Sequence, residues 1–145
     1  MLGIYQTDNS VCVSIDKDLL QVEGKHLNWI TGERYIVEPG VRNSRIENKK
    51  LVVDGIAWFY HQMLLGDRTD NIQGIAGMGD VKTHEALKDC STELEYAETV
   101  SAIYINKYGE SKQDFQNKLF EAADLLYICR SPGEYGSTYL KRILG

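Results

Sequence analysis

The chain has 145 residues, with 16 Lys and Arg against 21 Asp and Glu, a net charge of −5, 43% hydrophobic residues and nine Tyr, which excludes a disordered tail or a low-complexity linker. Its longest apolar runs, Leu51-Val52-Val53 and Met63-Leu64-Leu65, fall far below the ~18–20 residues of a membrane span, and residues 1–20 hold no basic stretch followed by an apolar core. Cys12, Cys90 and Cys129 are widely spaced and odd in number, which favours free thiols, a reducing compartment and a cytoplasmic location; the acidic balance argues against a generic nucleic-acid binder, although clustered carboxylates can serve to hold a cation.

In chain order, the first forty residues read as strands and turns. The β-branched run Val11-Cys12-Val13-Ser14-Ile15 is too short for a helix and apolar enough for a buried parallel strand. It ends in Asp16-Lys17-Asp18, after which Leu19-Leu20-Gln21-Val22 starts a helical turn. Strand-like pieces at His26–Thr31 and Arg34–Glu38, separated by Thr31-Gly32-Glu33, form a hairpin closed by Pro39-Gly40. One buried parallel strand needs neighbours, and this chain offers few; the first third looks like the last part of an α/β sheet.

From Asn48 the pattern turns helical. Leu51, Ile56, Phe59, Tyr60, Met63 and Leu64 share one face of a helix that Gly66 stops. A glycine-punctuated stretch to Asp80 follows, with Asp80 placed to cap a helix that begins near Val81. Helices are expected over 93–107 and 112–130, the second carrying a stripe of Phe115, Leu119, Ala122, Ala123 and Leu126, and a short one over 137–143. The isolated His26 and His61 read as structural or exposed, and Trp29 and Trp58 as core.

Three clusters carry chemistry. Asp16 and Asp18 sit two apart just past a strand end, where open α/β sheets bind ligands; two acids so close repel unless they share a cation, and the alternative is a solvated turn. Asp67 and Asp70 are three apart, so a helical turn puts both on one side, while either alone also suits a helix cap. Joined, the four acids would suit one Mg²⁺ or Mn²⁺. Finally, Gly74-Ile75-Ala76-Gly77-Met78-Gly79 precedes a helix with Lys82 and His84 in its first turn. Such glycines let a phosphate approach the backbone, in the manner of hairpin motifs that grip nucleic acid without reading bases; an ordinary Gly-rich turn is the competing explanation. A P-loop is excluded, since no Gly-Lys-Ser/Thr is present.

The runs Ser14-Ile15-Asp16-Lys17-Asp18-Leu19-Leu20-Gln21 and Gln62–Gly79 resemble, in order and separation, the C-terminal half of the phage and bacterial 5′→3′ exonuclease/flap endonuclease family, which includes the 5′ nuclease domain of bacterial DNA polymerase I. The resemblance implies a mostly helical α/β fold: residues 1–47 as the end of the nuclease sheet, and residues 48–145 as a helical domain built on a helix–three-turn–helix (a helix-hairpin-helix-like element). It implies that Asp16, Asp18, Asp67 and Asp70 hold the second of two divalent ions, Mg²⁺ or Mn²⁺. It further implies that Gly74, Ile75, Gly77, Met78, Gly79 and Lys82 clamp the backbone of duplex DNA with the help of K⁺. Two departures stand out. Gln73 occupies a position where the family usually has Pro, and Met1–Ser10 offers only Asp8 where the family carries further acids. The expectation is a metal-dependent nuclease component acting on a 5′-flap or duplex end in a bacterial or phage-infected cell, its N-terminal half being a separate nuclease chain, truncated or lost. The alternative is a catalytically inactive DNA-binding remnant.

Overall fold

The computed structural model describes residues 6–109 and 112–145. The hydrophobic core is built around one helix. α1 (Ile56–Leu65) carries no Asp, Glu, Lys or Arg, and buries Ala57, Phe59, Tyr60, Met63 and Leu64 completely. A helix apolar on nearly every side belongs in the middle of a bundle. It is surrounded by α2 (Asp80–Leu87), α3 (Glu93–Tyr108), α4 (Lys112–Leu126) and α5 (Gly136–Leu144).

Local sequence accounts for the helix ends. Gly55, at φ 67°, turns the chain into α1 and donates its N–H to Leu20 O at 2.7 Å. α3 begins with a reciprocal cap, in which Thr92 Oγ1 accepts from Glu95 N and Glu95 Oε2 accepts from Thr92 N. Leu119, Ala122, Ala123 and Leu126 form the buried stripe of α4, as their spacing predicts, with Phe115 half-buried at its edge. Gly136 lets α5 cross α4 in contact, because a Cβ there would fall 1.9 Å from Ala123 O. Buried tyrosines find polar ends for their hydroxyls: Tyr104 donates to Met63 O at 2.7 Å, and Tyr96 to Asn43 Oδ1 at 3.0 Å.

The strands are short, and those of the three-stranded sheet lie outside this bundle core. β1 (Val11–Val13) pairs parallel with β2 (Gly24–Leu27), which pairs antiparallel with β3 (Arg34–Val37). The second strand is thus shorter than the sequence pattern suggests: Asn28 Oδ1 takes the N–H groups of Ile30 and Thr31, ending the ladder and leaving Trp29 61% exposed rather than in the core. Only Cys12 of β1 is buried. Val11 and Val13 are half-exposed, sharing an outer face with Leu27 and Ile36, so β1 is not the fully buried strand its composition suggests. Parallel strands are ordinarily covered on both faces.

A second difference lies at 45–52. Instead of opening a helix at Asn48, the chain makes a hairpin of β4 (Arg45–Glu47) and β5 (Lys50–Val52), turned by Asn48 and Lys49 at φ 50° and 65°. Two consecutive positive φ values are the geometry of a type I′ turn, which Asn tolerates. The hairpin runs across the junction between residues 47 and 48. Asp80 also departs from expectation. It is the first residue of α2, capped by Gly79, and its Oδ2 accepts from Leu51 N at 2.9 Å, tying α2 to the hairpin.

A buried histidine relay ties the same elements together. His61 Nδ1 donates to Ala57 O at 2.7 Å, so its Nε2 accepts from Ser44 Oγ at 2.9 Å; Ser44 in turn accepts from His84 Nδ1 at 2.8 Å. Burial lowers the His61 pKa to about 4, with His84, beyond Ser44, adding to the fall and the Ala57 carbonyl opposing it. The Tyr96 ring lies beside it, centroids 5.9 Å apart. An unfolded histidine titrates near its ordinary value of 6.5, so the unfolded chain takes up the proton first. This group's contribution to stability is therefore full above about pH 6.5 and falls by about 3 kcal/mol as pH drops to about 4. Urea unfolding across that range measures it, and replacing His61 by Gln is expected to flatten the dependence.

Candidate metal centre

Two loops bring acids together. The first follows β1. Asp16 Oδ1 accepts from Asp18 N at 2.9 Å, starting the 3-10 turn Lys17–Gln21 and turning the Asp18 side chain toward α1. The second follows α1, where β6 (Gly66–Asp67) pairs antiparallel with β7 (Ile72–Gln73). Two glycines make this narrow crossing possible. A Cβ on Gly66, which sits at φ 71°, would lie 2.3 Å from Gly74 N, and a Cβ on Gly74 would lie 2.3 Å from Leu65 C. Both obstacles are backbone and cannot swing aside. Gly74→Ala is accordingly expected to cost about 3 kcal/mol of unfolding free energy, read from the urea midpoint at unchanged slope.

Inside this loop Asp67 Oδ1 accepts from Thr69 N at 2.9 Å, folding Arg68–Asn71 back so that Asp70 returns to the side of Asp67. Asp18, Asp67 and Asp70 then each offer a carboxylate oxygen, all within 4.8 Å of one another. Oxygens around an octahedral Mg²⁺ at about 2.0–2.1 Å are about 3.0 Å apart when adjacent and about 4.2 Å when opposite, so small side-chain rotations bring these three onto one ion. A set of hard oxygen donors suits Mg²⁺ or Mn²⁺ and no soft metal. Asp16 stands outside the trio as the cap of the 3-10 turn and a nearby negative charge.

The Asp18 pKa is pushed up to about 6, first by burial, then by the charge of Asp16, and further by Asp67; the Gln62 amide acts in the opposite sense. Two glutamines that sequence reasoning passed over hold this carboxylate. Gln62 Nε2 donates to Asp18 Oδ1 at 2.5 Å, and Gln62 Oε1 accepts from Gln21 Nε2 at 2.6 Å. Gln21 also donates to Leu126 O at 2.7 Å and accepts from Ile128 N at 3.1 Å. Both amides are buried, and the chain of bonds fixes their orientation, so Gln62 has only its N–H to offer Asp18. No spacing rule links Gln21 to Gln62, and the one available signal was two uncharged polar residues inside otherwise apolar runs.

The glycine loop divides into two parts. Gly74 and Ile75 are structural: Gly74 packs backbone against backbone, and Ile75 is buried with its N–H donated to Leu64 O at 2.8 Å. Met78 is half-buried, packed on the core. Gly77 and Gly79 face open space, with nothing within 4 Å of a Cβ at either, and Lys82 is exposed on the first turn of α2. No side chain caps α2, and Thr83 Oγ1 is buried there with no hydrogen-bond partner among the described residues.

No helix among the described residues is long and apolar enough to cross a membrane. Comparison with protein-family models, with curated proteins and with solved structures gave no match.

Proposed function

We propose that this chain is the metal-holding and duplex-binding part of a structure-specific 5′→3′ exonuclease/flap endonuclease that hydrolyses DNA phosphodiesters with Mg²⁺ or Mn²⁺. The observation that carries the reading is the meeting of Asp18 with Asp67 and Asp70 from two separate loops. Three carboxylates crowded without a cation among them repel, which is a cost that a divalent ion would remove. An ion held by Asp18, Asp67 and Asp70 would supply positive charge to stabilise the negative charge that develops during phosphodiester hydrolysis. The protein's own part is to hold and orient: Gln62 aims Asp18, the Asp67–Thr69 bond aims Asp67, and Gly66 with Gly74 fix the loop carrying Asp67 and Asp70.

The open surface at Gly77 and Gly79, beside the uncapped start of α2, suits the phosphodiester backbone of a duplex, with Lys82 adding a charge. The unpartnered Thr83 hydroxyl supports a K⁺ ion at this turn. The uncovered face of Val11, Val13 and Ile36 supports a second nuclease chain that completes the sheet and brings the remaining acids. The same observation favours a second reading, a DNA-binding remnant without chemistry. Cleavage of a labelled 5′-flap duplex in Mn²⁺ tests the two, using this chain alone and together with a polypeptide corresponding to the family's N-terminal half. Cleavage lost in Asp70→Asn establishes the nuclease. Flap binding that weakens with salt, without cleavage in either mixture, establishes the remnant, and neither binding nor cleavage rejects both.

A further inference from the structure

Between the small sheet and the β4–β5 hairpin lies a cleft of about 520 Å³, within the range of about 300–1,000 Å³ typical of small-molecule sites. We propose that it binds one nucleotide of the strand whose phosphate lies at the aspartate cluster, a proposal that rests on the nuclease reading and names where its substrate extends.

Position comes first. Cleft and cluster share the segment Ser14–Asp18: Ile15 and Lys17 line the cleft, and Asp18 joins Asp67 and Asp70. Lys17 and Asp18 are neighbours in the chain, so a strand with one phosphate at the cluster passes close to this cleft.

The lining is amphipathic in the way a nucleotide is. Leu20, Val52 and Val53 provide an apolar floor, and the Tyr35 ring forms part of the wall. The cations Lys17, Arg42 and Arg45 and the carboxylates Glu33 and Asp54 line the cleft; Arg42 binds Asp54 at 2.5 Å, and Arg45 binds Glu47, outside the lining, at 2.5 Å. Lys17 alone of the three has no carboxylate partner among the described residues, so it is the charge left for a phosphate. Asn28 and Asn43 both spend their Oδ1 on the protein, Asn28 on the N–H groups of Ile30 and Thr31, and Asn43 on the Tyr96 hydroxyl. Neither Nδ2 has a hydrogen-bond partner among the described residues, which leaves those donors for a ligand. Two amide donors, one free ammonium and an aromatic wall over an apolar floor fit a ligand that has acceptor-rich edges, an anion and a flat ring.

The test is a metal-free titration of the chain with 5′-thymidine monophosphate, followed by the side-chain amide NMR signals of Asn28 and Asn43. The proposal expects saturable shifts of both signals, weaker binding of thymidine and of inorganic phosphate taken separately, and about a tenfold loss of affinity in Lys17→Ala. Lys17 is exposed, so that variant retains the fold. Absence of saturation overturns the proposal, as does inorganic phosphate binding as tightly as the nucleotide, or an unchanged affinity in Lys17→Ala. A parallel Mn²⁺ titration keeps the two readings apart. Mn²⁺ bound at the aspartates without nucleotide binding sinks the cleft alone, and no Mn²⁺ binding sinks the metal reading on which it rests.

Discussion

Replacing Asp18 by Asn is expected to abolish divalent-ion binding and, in the metal-free protein at pH 7, to raise stability by about 1 kcal/mol, or several degrees in Tm. The two effects have one cause. Asp18 is partly buried, with the charges of Asp16 and Asp67 beside it, so its own charge is unfavourable in the absence of a cation. Asn has the same shape and keeps an oxygen for the Gln62 amide, so the substitution removes the repulsion without removing the bond. The figure is kept small because the carboxylates are partly exposed and water screens them. A group whose folded pKa is raised, here to about 6 from 3.8, contributes stability below the unfolded value and loses it as pH rises through the folded one. Asp18 therefore works against His61 between pH 4 and 6, His61 losing stability on acidification while Asp18 gains it. The acid-side fall in stability is expected to be steeper in Asp18→Asn than in the parent. Thermal unfolding of both proteins over that range, with and without Mn²⁺, checks the claim: Mn²⁺ should raise the Tm of the parent and leave the variant unmoved.

Replacing Gln62 by Leu is the second large effect, reached without touching a carboxylate. Among the described residues, the change removes the only side-chain amide that donates to Asp18 Oδ1 and one of the two acceptors of Gln21 Nε2, in a site where Gln62 is 2% exposed. Breaking a buried network of this kind costs about 2 kcal/mol. Divalent-ion affinity is expected to fall about 10–100-fold, the usual consequence of removing a group that orients a ligand. Isothermal titration with Mn²⁺ measures the second number and urea unfolding the first. Gln62→Glu separates charge from shape: it returns an oxygen to the place of the N–H donor, faces Asp18 with a fourth acid, and should weaken binding more than Leu does if orientation by the amide is what matters.

Much of this arrangement was readable from the sequence. Asp67 and Asp70, three apart, are expected to share one side if the segment is a helical turn; they do come together, but in the turn between β6 and β7, while the α4 stripe announced its buried face through spacing alone. What escaped was non-local. Asp16 and Asp18 look equivalent in the sequence, yet the hydrogen bond from Asp18 N spends Asp16 on local capping and leaves only Asp18 with the trio. The partnership of Gln21 with Gln62 depends on how the 3-10 turn meets α1, which no periodicity encodes. Leu51 continued the apolar pattern of α1 back toward Asn48, and the positive φ of Asn48 and Lys49 overrode it, producing a hairpin where helix was expected. Val11 and Val13 read as buried because composition reports an apolar strand and not what covers it.

The account stands on the three aspartates forming one divalent-ion site, and Mn²⁺ binding followed by electron paramagnetic resonance tests that most directly. The prediction is a single saturable Mn²⁺ ion in the parent chain, displaced by excess Mg²⁺, and lost in both Asp67→Asn and Asp18→Asn while Asp16→Asn retains it. Equal binding in the parent and in Asp67→Asn, or no saturable binding in the folded parent, would contradict it.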